Sequence, residues 1–137
     1  MENEKDAWIY FIEILIKQGK YEDVVRACHN AIKMDRKFKE AWYYYGISFY
    51  KQGKYDESEL ACREALELDN EYTNALLCLG ATLFKKDQYP QAERIIKELI
   101  RLDNNNKDAW KILHILLKKQ GKYKEADLAI KKSEELS

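Results

Sequence analysis

The sequence has no excess of either charge: 24 Lys and Arg balance 24 Asp and Glu. A neutral chain sets up no general field toward nucleic acid or an anionic membrane, so neither is expected as a partner. Long apolar runs are also missing. Ala41–Tyr50 and Ala75–Phe84 are the longest, about half of the roughly twenty residues that a bilayer span requires. The start, Met1-Glu2-Asn3-Glu4-Lys5, is acidic and polar, unlike a secretion signal. Cysteines number three, with no Cys-x-x-Cys spacing, so neither a disulfide framework nor a zinc ribbon is indicated. A reduced, cytoplasmic setting is expected. There is no Gly-rich phosphate loop and no cluster of metal ligands. His29 and His114 stand alone. No catalytic residue, metal or cofactor is therefore expected, and the chain does not read as an enzyme.

What is present is a period. Ala7, Ala41, Ala75 and Ala109 are spaced 34 residues apart without a gap. Trp8, Trp42, Leu76 and Trp110 follow in step, and Tyr21, Tyr55, Tyr89 and Tyr123 keep their own phase. A fixed period of this length predicts stacked helical hairpins, each too small to bury its apolar face alone. The units are 7–40, 41–74, 75–108 and 109–137, making one domain over 1–137. Turn signals divide each unit. Gln18-Gly19-Lys20, Gln52-Gly53-Lys54 and Gln120-Gly121-Lys122 place Gly just past a helix end, where it enters the left-handed region without strain. The third unit has Asp87 instead, which should tolerate that conformation less well. The only proline, Pro90, falls where a helix starts and its missing N–H is harmless. Asp35-Arg36, Asp69-Asn70 and Asp103-Asn104 mark the breaks between units. First helices are predicted near 6–18, 39–52, 73–86 and 107–120. Second helices fall near 21–34, 55–68, 89–102 and 123–136. Cys28 and Cys62 share a phase on neighbouring second helices, about 8–10 Å apart. A disulfide needs Cα atoms within about 7 Å, so both are expected as reduced core residues.

The second unit, with Trp42, Tyr45-Gly46, Phe49, Gln52-Gly53, Tyr55, Ser58, Ala65 and Leu66-Glu67-Leu68-Asp69, resembles the tetratricopeptide repeat. The third adds Leu79-Gly80, Leu83, Ala92 and Leu102-Asp103. The resemblance runs through all four units. It implies an all-α fold, a right-handed α-solenoid of about eight helices in stacked antiparallel pairs. Departures stand at both ends. The close-approach sites carry Ile12 with Val24 and His114 with Ala126, against Gly46 with Ser58 and Gly80 with Ala92 in the middle, so the end units should be looser. Arg36, Asn70 and Asn104 replace the closing proline of the family, which implies less rigid turns between units.

Relatives of this kind bind peptides on the concave face, lined mainly by first helices. Carried over by phase, the peptide-binding candidates are Tyr10, Glu13, Lys17, Tyr43, Tyr44, Ile47, Tyr50, Lys51, Leu77, Phe84, Lys85, Ile112 and Lys119. A separate stripe supplies the core: Trp8, Phe11 and Leu15; Trp42, Tyr45 and Phe49; Leu76, Leu79 and Leu83; Trp110, Leu113 and Leu117. A second apolar stripe on the same helices implies an open or partner-covered surface. Tyrosine suits recognition there, pairing a rigid apolar ring with a polar tip. Lys17, Lys51, Lys85 and Lys119 form a column that would attract acidic residues and also complements the helix dipoles. Some family members clamp the carboxylates of a chaperone tail with Lys, Asn and Arg. Over units one to three those phases hold Ile9, Glu13, Tyr44, Asn74 and Cys78, and over units two to four Tyr43, Ile47, Cys78, Asp108 and Ile112; neither is a cationic cradle. The expected function is a protein–protein interaction scaffold that holds a peptide or helical segment of an unidentified partner protein in this groove. The alternative is a structural module that self-associates, as a weak homodimer, through its end faces. Charge supports a dipolar stack: residues 41–74 hold three Lys/Arg against seven Asp/Glu, and residues 109–137 hold seven against four.

Overall fold

The computed structural model describes residues 2–136. Eight helices occupy them: α1 (Glu2–Lys17), α2 (Tyr21–Met34), α3 (Lys39–Lys51), α4 (Tyr55–Leu68), α5 (Thr73–Lys85), α6 (Tyr89–Leu102), α7 (Lys107–Lys119) and α8 (Tyr123–Glu135). They form an α-solenoid of four antiparallel hairpins, with α3, α5 and α7 each also packed on the second helix of the unit before it. The helices sit where the turn signals put them, and α1 begins earlier than expected.

The turn inside each hairpin is closed the same way four times. The amides of Lys20, Lys54, Gln88 and Lys122 donate to the carbonyls of Leu15, Phe49, Leu83 and Leu117 at 2.9–3.0 Å. This closure needs one residue in the left-handed region. Gly53 takes it at φ 76°, and Asp87 is forced to φ 61°. The Asp87 carboxylate accepts a bond from the Tyr89 hydroxyl at 2.8 Å, a partial offset for the strain of a side chain there.

The turns between units are tied rather than loose, contrary to what the missing proline implied. The side chains of Asp35, Asp69 and Asp103 accept from the amides of Lys37, Glu71 and Asn105 at 3.0, 3.1 and 3.2 Å. Such Asx turns fix the chain locally without proline. The indoles of Trp42 and Trp110 reach back to the carbonyls of Arg36 at 2.9 Å and Asn104 at 2.8 Å.

Within the middle hairpins the helices touch backbone to side chain. A Cβ at Gly46 would lie 2.6 Å from the Cys62 sulfur, and one at Gly80 would lie 2.4 Å from Ile96 Cδ1. Ser58, fully buried, donates to the Gly46 carbonyl at 2.8 Å and shares a 3.0 Å bond with Thr82. The Thr82 hydroxyl also lies 2.8 Å from the Cys78 carbonyl, so its one proton goes either to that carbonyl or to Ser58. The second and third units are thus joined by a buried polar relay with every member satisfied. The ends differ from each other. Ile12 and Val24 hold α1 and α2 less close than the inner pairs. The fourth unit is not loose: the His114 ring nitrogen bonds the Ala126 carbonyl at 2.8 Å, and α7 and α8 pack as closely as α5 and α6. One core assignment also changes, since Phe11 is half exposed while its counterparts Leu79 and Leu113 are buried.

A carboxylate joins each later seam. Glu59 on α4 pairs with Lys86 at 2.8 Å across the unit boundary. Glu93 on α6, one repeat on, meets Gln120 at 2.8 Å and Lys122 at 3.1 Å as well as Lys97 at 2.7 Å. Burial pushes the Glu93 carboxyl up, but those donors outweigh it and hold the pKa at about 2. The first seam has Val25 at this position, and the facing Gln52 Nε2 is buried with no partner.

Three outcomes are expected. Val25→Glu should give Gln52 its missing acceptor and raise stability by about 1 kcal/mol in urea melts. Asp87→Gly should relieve the left-handed turn and also raise stability, by about 0.5–1 kcal/mol. Glu93 has a folded pKa below its unfolded value, so its contribution is full above about pH 4.5 and fades as pH falls toward 2. Glu93→Gln should therefore lower the melting temperature at pH 7 and flatten its fall over that acid window.

Candidate functional site

The first helices α1, α3, α5 and α7 line the concave face, and two adjoining hollows open on it. The first, about 260 Å³, is lined by Glu13, Ile16, Lys17, Tyr43, Tyr44 and Ile47. The second, about 370 Å³, is lined by Tyr43, Ile47, Tyr50, Lys51, Asn74, Leu77, Cys78, Ala81, Asp108, Lys111 and Ile112. Tyr43 and Ile47 belong to both, so one ridge on α3 divides a continuous groove into two lobes. Apolar side chains form the floor, and charged groups stand at the rim.

Aromatic packing sets the shape of the ridge. The ring of Tyr43 lies 5.0 Å from that of Tyr44 and 5.6 Å from that of Tyr72 between centroids. Tyr72, at the start of α5, also carries Lys39 Nζ 5.0 Å over its face. The Tyr44 hydroxyl donates to Glu13 at 3.1 Å, linking α3 to α1. Burial is the main cause that pushes the Tyr43 hydroxyl up to about 12, with Cys78, Cys62 and Glu13 adding to it. Burial and Glu13 raise that of Tyr44. Both stay protonated at any physiological pH; the Tyr44 proton is already given to Glu13, so its oxygen is left to accept from a bound chain.

The expected residues do not all meet. Glu13, Lys17, Tyr43, Tyr44, Ile47, Tyr50, Lys51, Leu77 and Ile112 line the two lobes. Tyr10 projects from α1 at 71% exposure, outside both. Phe84 turns to Tyr89, centroids 5.8 Å apart, and packs against the core. Lys85 is exposed and outside the second lobe, and Lys119 borders a separate hollow of about 380 Å³ with His114, Ile115, Lys118 and Tyr123. The lysine column is thus split, with Lys17 and Lys51 at the lobes and the other two away from them. Tyr72 is the aromatic that phase reasoning overlooked. It stands just before a helix, at the phase of Phe38 and Asn106, where a large residue is unusual for a turn and signals packing.

Cys78 closes the floor of the second lobe at 4% exposure, and all three cysteines are free and buried. Its sulfur lies 3.9 Å from Ser58 Oγ. Cys62 beside it is pushed well above the ordinary thiol range by Cys78 and by burial. Burial alone pushes Cys28 up to about 12. Neither of these two is a thiolate nucleophile at neutral pH. Among the described residues no three or more His, Cys, Asp or Glu side chains gather as a metal site, and no helix is long and apolar enough to cross a membrane.

The family of the Cilia and flagella-associated protein 70 middle TPR-like domain matches residues 27–137. No curated protein matches the sequence significantly. Among solved structures, MamA aligns with a TM-score of 0.89 at 18% identity, over 98% of this chain and 79% of its own. YrrB, described as a TPR protein with an unusual peptide-binding site, aligns at 0.82 and 23%, over 99% and 71%. The first TPR of Spaghetti (RPAP3), bound to the HSP90 peptide SRMEEVD, aligns at 0.84 and 19%, over 87% and 97%. At these identities the likeness is one of fold.

The ridge itself yields one expectation. Tyr44→Phe removes only the exposed bond to Glu13, so thermal melts should show a loss of less than about 1 kcal/mol with helicity unchanged.

Proposed function

Because the chain belongs to the Cilia and flagella-associated protein 70 middle TPR-like domain family, and is a TPR solenoid, we propose that it works as a protein-interaction scaffold whose concave groove holds a segment of a partner protein. The observation that carries the reading is the two-lobed apolar groove divided by Tyr43 and Ile47. Most of the core of the stack comes from the other stripe, so the groove-facing tips of Tyr44, Tyr50 and Leu77 remain for a ligand. Two lobes fit two apolar side chains of the bound segment, with the chain between them crossing the α3 ridge. Neutral tyrosine hydroxyls and Asn74 supply bonds to its backbone. Lys17, Lys51 and Lys111 at the rim favour acidic residues beside the anchors, whereas Glu13 and Asp108 limit how many are tolerated. This chemistry differs from a carboxylate clamp. The phases that would hold a chaperone tail carry Ile9, Glu13, Tyr44, Asn74 and Cys78, so the tail bound by Spaghetti is not the ligand proposed here.

Selection of displayed random peptides on the wild-type protein, followed by calorimetric titration, tests this. Binders should share two apolar anchors and an acidic flank. Leu77→Lys and Tyr44→Lys, checked for helicity, should each weaken them at least tenfold, the scale of a hot-spot loss. Lys51→Glu should weaken them less, and more so at low salt. Binders that both groove variants retain at full affinity would refute the assignment.

A further inference from the structure

We propose that the N-terminal end face is a self-association surface, on which α1 packs antiparallel to α1 of a second copy about a two-fold axis near Phe11. The inner seams show what this face is built for. Ala41, Ala75 and Ala109 are fully buried beneath the second helix of the preceding unit, as are Ser48, Thr82 and Leu116. The counterparts on α1 are bare: Ala7 is exposed and Ile14 is 39% exposed, and Phe11 beside them is 49% exposed where Leu79 and Leu113 are buried. Met34 joins them from α2 at 60%. Glu4, Ala7, Trp8, Phe11 and Met34 surround a hollow of about 450 Å³, larger than either lobe of the groove. Apolar surface gathered in this way is driven out of water.

Charge selects the occupant. Glu4 stands on the face at the start of α1. Lys20 stands at its far end, because its counterpart Lys122 reaches back to Glu93 on the helix that covers the same face of α7. In an antiparallel pair, Glu4 of each copy meets Lys20 of the other, and Ala7 meets the Ile14–Leu15 turn, small against large. Head-to-tail stacking on α8 fits less well. Asp127 there occupies the place of Glu93 and would serve Lys20. However, Glu134 stands where Ile32, Leu66 and Ile100 meet the next unit, and would bury a carboxylate against Ala7 and Trp8. An uncompensated buried charge outweighs one surface bond. Two bare α1 faces close on each other and stop at two copies. One helix pair buries less than the roughly 800 Å² per partner of a stable complex, so the pairing is weak.

Sedimentation equilibrium of the 137-residue chain, from about 10 µM to about 1 mM at low salt, tests the proposal. The mass should rise from 16.3 kDa toward that of two copies and no further. Phe11→Arg and, independently, Ala7→Arg should weaken the pairing at least tenfold with circular dichroism unchanged, both sites being exposed. Glu4→Lys should weaken it severalfold, and Glu4→Lys with Lys20→Glu should restore it. A monomer throughout, masses that grow past two copies, or a dimer indifferent to both arginine variants would overturn the proposal. A double charge swap that restores nothing would overturn the antiparallel arrangement.

Discussion

The burial of Ala41, Ala75 and Ala109 beneath the preceding second helix is the contact on which the rest of the structure depends. A two-helix hairpin has no interior of its own, so each unit is completed by its neighbour. A small residue at this position lets a first helix settle against two second helices at once. That double contact fixes the 34-residue register, because a slipped turn would turn a bulky side chain into the seam. It also leaves the concave side of each first helix without a helical neighbour. The groove is thus a consequence of how the stack satisfies its core, before any ligand is considered.

The seams are not equivalent, and the differences follow from single residues. Glu59 and Glu93 give their seams a buried or half-buried carboxylate with cationic partners. Val25 offers nothing to Gln52. One hydrophobic cluster runs from Cys62 through the third and fourth units, whereas the first unit and its seam with the second hold two smaller ones. The ridge on α3 lies where these regimes meet. Tyr44 ties it to α1 through Glu13, while Tyr43 packs on Tyr72 of the third unit. Local opening of the first unit would therefore reach the smaller lobe of the groove before the larger one.

The ends contrast in the same terms. At α8 the position that is Ile32, Leu66 and Ile100 elsewhere is Glu134, a charge where the inner seams are apolar. At α1 the full apolar set remains.

Much of this was legible from the residues. Period, helix bounds and the left-handed turn at each hairpin are local properties, written in side chains a few positions apart: Gly53 must sit where φ is positive, and Ala75 must sit where two helices close. The carbonyl that takes the Trp42 indole, the pairing of Glu93 with Gln120 and Lys122, and the ring of Tyr72 beside Tyr43 depend on distances across unit boundaries. No spacing along the chain encodes those. The same holds for the groove. Phase alone placed Phe84 in the groove with Tyr44, yet the tertiary structure turned Phe84 toward Tyr89 and the core and drew Tyr72 against Tyr43. Helical phase defines the direction of a side chain around its own axis, and only the packed neighbours decide whether that direction ends in water, in a groove or against another ring.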